Sequence, residues 1–228
     1  MTGSDLNNLT RTRVKICGIT RSQDALAAAY AGADAIGLVF YEKSLRHVTV
    51  DSAKAIVKAI PPFVTIVGLF VGAGKDKIRA VLENIPIDIL QFHGDESDEQ
   101  CQQYGRPYIK AIRVREQLEL DDLLNRYPGA SALLLDSYVQ GTRGGTGIAF
   151  DWSIVPPVCN KPIILAGGLT PANVRRAITQ VKPYGVDVSG GVETGKGIKD
   201  AGKIAAFMQE VTNAQDEFRG RHCTPVQV

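Results

Sequence analysis

Four cysteines in 228 residues is a low count, and their positions (Cys17, Cys101, Cys159 and Cys223) leave no Cys-x-x-Cys pair. Such spacing indicates neither a metal site nor a disulfide framework, and it suits a reducing compartment, so a cytoplasmic location is expected. An excess of either charge is also missing: 26 basic against 24 acidic residues leave a formal charge of +2, and the basic residues are scattered. With no basic stripe or cluster, neither a nucleic acid nor a membrane surface is an expected partner. No apolar run approaches the ~20 residues of a membrane-spanning helix. Residues 1–12 are polar, lack the apolar stretch of a secretory signal, and read as a flexible lead-in. Residues 213–228 read as a similar tail. What is present is ordinary: 44% apolar and 22% charged residues, sufficient for a full core. The length fits one α/β barrel.

Short apolar runs alternate with helix-forming segments along residues 13–212. The strand-like runs cover residues 14–17, 35–40, 65–71, 88–93, 108–114, 132–136, 162–166 and 186–189. Between them, helix-like stretches open near residues 23, 51, 76, 95, 116, 151, 170 and 201. Asp51 is expected to cap the second helix, the acidic pair Asp95-Glu96 to begin the fourth, and Thr170-Pro171 to begin the seventh as cap and first-turn proline. The last helix is expected to end near Val211. Eight strand–helix units with no composition break predict a single (β/α)8 TIM barrel rather than an open doubly wound sheet.

In such a barrel the chemistry collects at the C-terminal ends of the strands. The first strand ends in Cys17-Gly18, where the thiol is a candidate for chemistry or, as free cysteine commonly is, a small buried filler. Arg46 lies just past the second strand, His93 ends the fourth, and Asp136 closes the apolar run Leu133-Leu134-Leu135. A carboxylate there is costly unless it faces the barrel mouth or is hydrogen-bonded. A thiol and a carboxyl facing each other across the mouth would suit a base and an acid. His93 fits an orienting, binding or purely structural role. Glycine pairs follow strands six (Gly144-Gly145), seven (Gly167-Gly168) and eight (Gly190-Gly191). The last two pairs lie where barrels bind phosphate, since glycine lets backbone N–H groups approach an anion.

Strand parity gives one further expectation. Lys15 shares a face with Cys17, and Asp187 shares one with Ser189, on strands that neighbour each other in a closed barrel. Both charges should point inward, where an unpaired one would be costly, so the two are expected within reach of each other.

Taken in order, the stretches Val14-Lys15-Ile16-Cys17-Gly18-Ile19-Thr20, Gly37-Leu38-Val39-Phe40, Gln91-Phe92-His93-Gly94, Leu135-Asp136-Ser137, Leu165-Ala166-Gly167-Gly168 and Gly185-Val186-Asp187-Val188-Ser189 resemble the phosphoribosylanthranilate isomerase family. The resemblance runs from about Val14 to Phe207. It implies an Amadori rearrangement of a phosphorylated sugar–anthranilate adduct in tryptophan biosynthesis, with no cofactor and no metal. It also implies Cys17 as general base, Asp136 as general acid, and Arg46 on the anthranilate carboxylate. His93, Gly145, Gly167, Gly168, Ser189, Gly190 and Gly191 are expected as further substrate-binding residues. Two departures stand out: Leu45 precedes the arginine where the family has proline, and Gly190 follows Ser189 where a second serine is usual. A related synthase would need a lysine–glutamate pair at strand ends, and the histidine-pathway isomerase two aspartates. A phosphate-sugar-binding barrel without catalysis is disfavoured by the presence of both Cys17 and Asp136. The sequence leaves monomer and homodimer open.

Overall fold

The computed structural model describes residues 11–114, 120–137, 151–155 and 159–222. Strands β1 (Arg13–Cys17), β2 (Ala35–Val39), β3 (Thr65–Phe70) and β4 (Ile89–Phe92) form one half of a barrel. Strands β5 (Tyr108–Val114), β6 (Ala132–Ser137), β7 (Ile163–Leu165) and β8 (Gly185–Val188) form the other. Each pairs in parallel with the next, and β8 pairs with β1 to close the ring. The connecting helices are α1 (Ser22–Tyr30), α2 (Val50–Ala59), α3 (Lys75–Asn84), α4 (Asp98–Gln102), α5 (Leu120–Arg126), α6 (Val174–Val181) and α7 (Ala201–His222). A 3₁₀ turn, Trp152–Ile154, lies between β6 and β7. Past β8 a second one, Gly190–Val192, leads into a small antiparallel hairpin of β9 (Glu193–Gly195) and β10 (Ile198–Lys199). The predicted barrel is the observed one.

The two-residue period of the strands divides the core into layers. In β6, Leu133 and Leu135 belong to the shell under the helices, with Ile163, Leu165, Val186 and Val188. Ala132 and Leu134 point the other way and pack with Ile109, Ala111, Ile164 and Ala166 along the axis. Helix α6 presents Val174, Ala177 and Ile178 to the shell at helical spacing. The Lys15–Asp187 expectation holds. The two residues are direct register partners on β1 and β8, and Nζ lies 2.9 Å from Oδ1 with side-chain exposures of 6% and 9%.

Several local expectations are corrected. Thr49, not Asp51, caps α2, its hydroxyl accepting from the Ser52 N–H at 3.2 Å, and Asp51 sits in the first turn. Ser97, not the Asp95-Glu96 pair, caps α4 through a reciprocal box with Gln100. Glu96 turns inward instead, accepting from the N–H groups of Gly72 and Gly94 and from Lys110. Helix α6 begins at Val174, because Thr170 to Asn173 form a turn closed by the Asn173 side chain on the Thr170 N–H. The tail expected from residue 213 continues α7 as far as His222. Ala214 is fully buried, Gln215 donates to the Thr12 carbonyl, and Glu217 pairs with Arg175 of α6. Thr12 is itself buried, so the ordered barrel includes the end of the lead-in.

Candidate active site

Cys17 ends β1 with its side chain inward, opposite Gly37 of β2 in register. A Cβ at Gly37 would stand 2.8 Å from Cys17 Sγ and 3.2 Å from Lys15 Cε. Glycine therefore makes the space that the thiol and the lysine fill. Val39 and Leu69 wall the thiol, with Tyr41 and Val71 packed against them. Burial pushes the thiol above its ordinary value, Lys15 offsets part of that, and Asp187 adds to the rise. For Lys15 burial pulls down, but Asp187 and Cys17 outweigh it and the ammonium is held above its usual value. The thiol is thus buried and next to a fixed cation.

Asp136 stands at the other side of the mouth on β6, sharing the inward face of Leu134. Its Oδ2 lies 3.2 Å from His93 Nε2. Gln91, on the same inward face of β4, brings its amide nitrogen to 3.4 Å from the other ring nitrogen, Nδ1. The ring is therefore held between an amide and a carboxyl. Arg113, the register partner of Asp136 on β5, donates to the His93 carbonyl at 3.3 Å. His93 thus touches the predicted acid directly.

Arg46 lies in the turn after β2, which is anchored by the Ser44 hydroxyl accepting from the Arg46 N–H at 3.1 Å, without the proline of the family pattern. Its stem crosses Gly18: a Cβ there would come within 2.4 Å of Arg46 Cδ and 3.0 Å of Ser189 Oγ, and the glycine has φ +74°. The guanidinium is already engaged on one edge. Nε and Nη2 donate to the two oxygens of Glu193 at 2.7 and 2.8 Å. Lys199 Nζ reaches the same carboxylate at 2.8 Å, together with the Ser189 carbonyl at 3.0 Å and hydroxyl at 3.3 Å.

The loops after β7 and β8 need glycine for different reasons. Gly167 and Gly168 have φ of +79° and +66°. At Gly191 a Cβ would stand 1.9 Å from the Leu169 carbonyl oxygen, so the two loops touch backbone to backbone. Backbone N–H groups at glycine, as at Gly168, Gly190 and Gly191, are of the kind that an anion can approach.

The closed barrel thus gathers Cys17, Arg46, His93, Asp136, Gly167, Gly168, Ser189, Gly190 and Gly191 at one end. Gly145 lies outside the described residues. Sequence reasoning missed Arg113, Glu193 and Lys199. The parity rule that picked out Asp136 would have found Arg113, two residues beyond the inward-facing Ala111. Lys110, by contrast, points outward to Glu96 at 3.1 Å, away from the mouth. A cleft of about 640 Å³ flanks the mouth, lined by Tyr41, Val71, Tyr104 and Arg113 among others, and includes neither Cys17 nor Asp136. Among the described residues no His, Cys, Asp and Glu side chains gather into a set able to hold a metal ion, and no helix is long and apolar enough to cross a membrane.

Comparison with known proteins gives a consistent result. Residues 14–210 match the family model described as N-(5'phosphoribosyl)anthranilate (PRA) isomerase. The chain is 61% identical over 206 residues to the N-(5'-phosphoribosyl)anthranilate isomerase of Pseudomonas fluorescens (strain SBW25), covering 90% of this chain and 98% of that protein. The crystal structure of phosphoribosyl anthranilate isomerase from Thermotoga maritima aligns with a TM-score of 0.81 at 40% identity, over 89% of this chain and 99% of that one. A phosphoribosyl anthranilate isomerase in complex with reduced 1-(o-carboxyphenylamino)-1-deoxyribulose 5-phosphate aligns with a TM-score of 0.78 at 38% identity, with the same two coverages of 89% and 99%.

Proposed function

The chain belongs to the N-(5'-phosphoribosyl)anthranilate isomerase family, and from that premise we propose how its barrel mouth performs the family's step of tryptophan biosynthesis. The reaction is the Amadori rearrangement of N-(5'-phosphoribosyl)anthranilate to 1-(2-carboxyphenylamino)-1-deoxyribulose 5-phosphate. Asp136, as acid, gives its proton to the furanose ring oxygen. The bond from C1 to that oxygen breaks, and the nitrogen lone pair closes a C1=N iminium. Cys17, as base, then takes the C2 proton, and the released electron pair forms the enolamine, which tautomerises to the C2 ketone. The edge of Arg46 not engaged by Glu193 receives the anthranilate carboxylate, for which a planar fork is suited. Ser189 and the N–H groups of Gly168, Gly190 and Gly191 hold the phosphate, and His93 orients the Asp136 carboxyl.

A single observation carries this reading: a buried thiol beside a fixed lysine and a carboxyl paired with a histidine occupy the same end of one closed barrel. It also sets a pH signature. Burial raises Cys17 in the empty enzyme, so the acid limb of kcat/KM, which reports the free enzyme, lies above the ordinary thiol value. The iminium cation formed next to the sulfur favours thiolate, so the same limb in kcat lies lower. Reducing conditions keep the thiol free, and we assign the enzyme to the cytoplasm.

The test is consumption of the fluorescent phosphoribosylanthranilate by purified protein. Cys17→Ala and Asp136→Asn are each expected to lose turnover while still binding the reduced product analogue. Turnover retained in Cys17→Ala would remove the thiol from the chemistry.

A further inference from the structure

The hairpin after β8 carries a charge arrangement that the acid and base do not use. Glu193 has a side chain only 5% exposed, yet two cations converge on it: Arg46 on both oxygens and Lys199, fully buried, on Oε1. Gly197 N–H adds a third contact at 3.3 Å. The nearby Asp24 does not alter this balance, because Arg21 pairs with it at 2.6 Å and it accepts the Lys199 backbone N–H at 3.0 Å. Two positive charges and one negative charge thus meet side chain to side chain in one buried cluster, while Lys203 Nζ donates to the Glu193 backbone carbonyl at 2.8 Å from its exposed side. If Arg46 and Glu193 stood alone they would form a neutral pair, with little attraction left for a second carboxylate.

We propose that Lys199 is a positioning residue that cancels the charge of Glu193, so that Glu193 can aim the Arg46 fork while Arg46 stays cationic toward the substrate. This rests on the assignment of Arg46 to the anthranilate carboxylate. The same ammonium bonds both the carbonyl and the hydroxyl of Ser189. One buried lysine therefore links the carboxylate end of the substrate site to its phosphate end, across Gly18, where no side chain fits. Burial lowers Lys199 from its ordinary value and Glu193 opposes this. That is the balance expected of a cation kept for a structural anion rather than for solvent.

The experiment compares two probes: the reductive amination products of ribose 5-phosphate with anthranilate and with aniline, which differ only by the carboxylate. The ratio of their dissociation constants reads carboxylate recognition alone. Lys199→Met is expected to reduce that ratio about tenfold or more, the scale of a charge-assisted contact. The double variant Lys199→Met with Glu193→Gln, which removes one charge of each sign, is expected to restore the ratio. An unchanged ratio in the single variant, or one that stays low in the double, overturns the proposal. Should Lys199→Met fail to fold, Glu193→Gln alone decides: the ratio rises above that of the parent, and an equal or lower ratio overturns the proposal. Arg46→Met separates this from the underlying assignment. If it leaves the ratio intact, Arg46 does not bind the carboxylate; if it collapses the ratio while Lys199→Met does not, only the role of Lys199 fails.

Discussion

Replacing Lys15 with methionine tests the electrostatics beneath the mouth, because the lysine has two partners with opposite demands. Its Nζ lies 2.9 Å from Asp187 Oδ1, both side chains are nearly excluded from water, and it also stabilises the thiolate form of Cys17. Removing one member of a buried pair leaves the other charge uncompensated, at a cost of about 3–5 kcal/mol. For a chain of this size that corresponds to a fall in Tm of roughly 6–20 °C. The thiol responds as well. In Lys15→Met the attraction that lowers Cys17 is gone while the repulsion from Asp187 remains, so its pKa rises further. The double variant Lys15→Met with Asp187→Leu removes both influences. Since the lysine's is the larger of the two, the thiol pKa should fall between the parent and the single variant, and most of the lost Tm should return. Thiolate absorbance in the ultraviolet, titrated in a background lacking the other cysteines, gives the pKa; thermal unfolding gives the stability. A thiol pKa that is unchanged or lower in Lys15→Met would refute the reasoning, whatever happens to Tm.

Other predictions are more local. Gly37→Ala should fold but drive its Cβ against Cys17 Sγ, at 2.8 Å in the present geometry, and lower kcat on the order of a hundredfold, as a misplaced reacting group does; an unchanged kcat would mean that the thiol is not held there. Arg46→Ala should raise KM far more than it lowers kcat, by about ten- to a hundredfold, since it removes a charge-assisted contact remote from the reacting carbon; steady-state kinetics with equal losses in kcat and unchanged KM would contradict that role. Stability should decline on the alkaline side. Cys101 is pushed up to about 12 by burial, so its contribution is complete below the ordinary thiol value and is lost as pH rises through the folded one. The part lost by pH 10 is about 1 kcal/mol. Urea midpoints of the parent and Cys101→Ala should therefore converge between pH 8 and 10, and parallel lines would exclude a role for this thiol.

The barrel was legible because its strands announce themselves twice, by alternation and by what ends them. Leu133-Leu134-Leu135-Asp136 reads as a strand with chemistry at its tip, and two-residue parity was enough to pair Lys15 with Asp187 across a register without offset. Single-residue signals were less secure. An acid in the first turn of a helix usually interacts with the helix dipole, yet Glu96 serves the N–H groups of Gly72 and Gly94 and a buried lysine. The polar stretch after Val211 looked like a tail because its support comes from elsewhere, from Thr12 and Arg175. Glu193 and Lys199 left no trace in the sequence reading. They lie in a hairpin without periodicity, and Arg46, their shared concern, is 147 residues from Glu193.

The central claim is that Cys17 and Asp136 divide base and acid between them, and deuterium loss from C2 of the open-chain iminium tests it most directly. Prepared from sugar phosphate deuterated at C2, the iminium has already passed the step assigned to Asp136 and still awaits the one assigned to Cys17. Asp136→Asn is predicted to exchange the C2 label at a rate comparable to that of the parent, whereas Cys17→Ala is predicted to retain it. Retention of the label by both variants, or exchange by Cys17→Ala, would contradict the assignment.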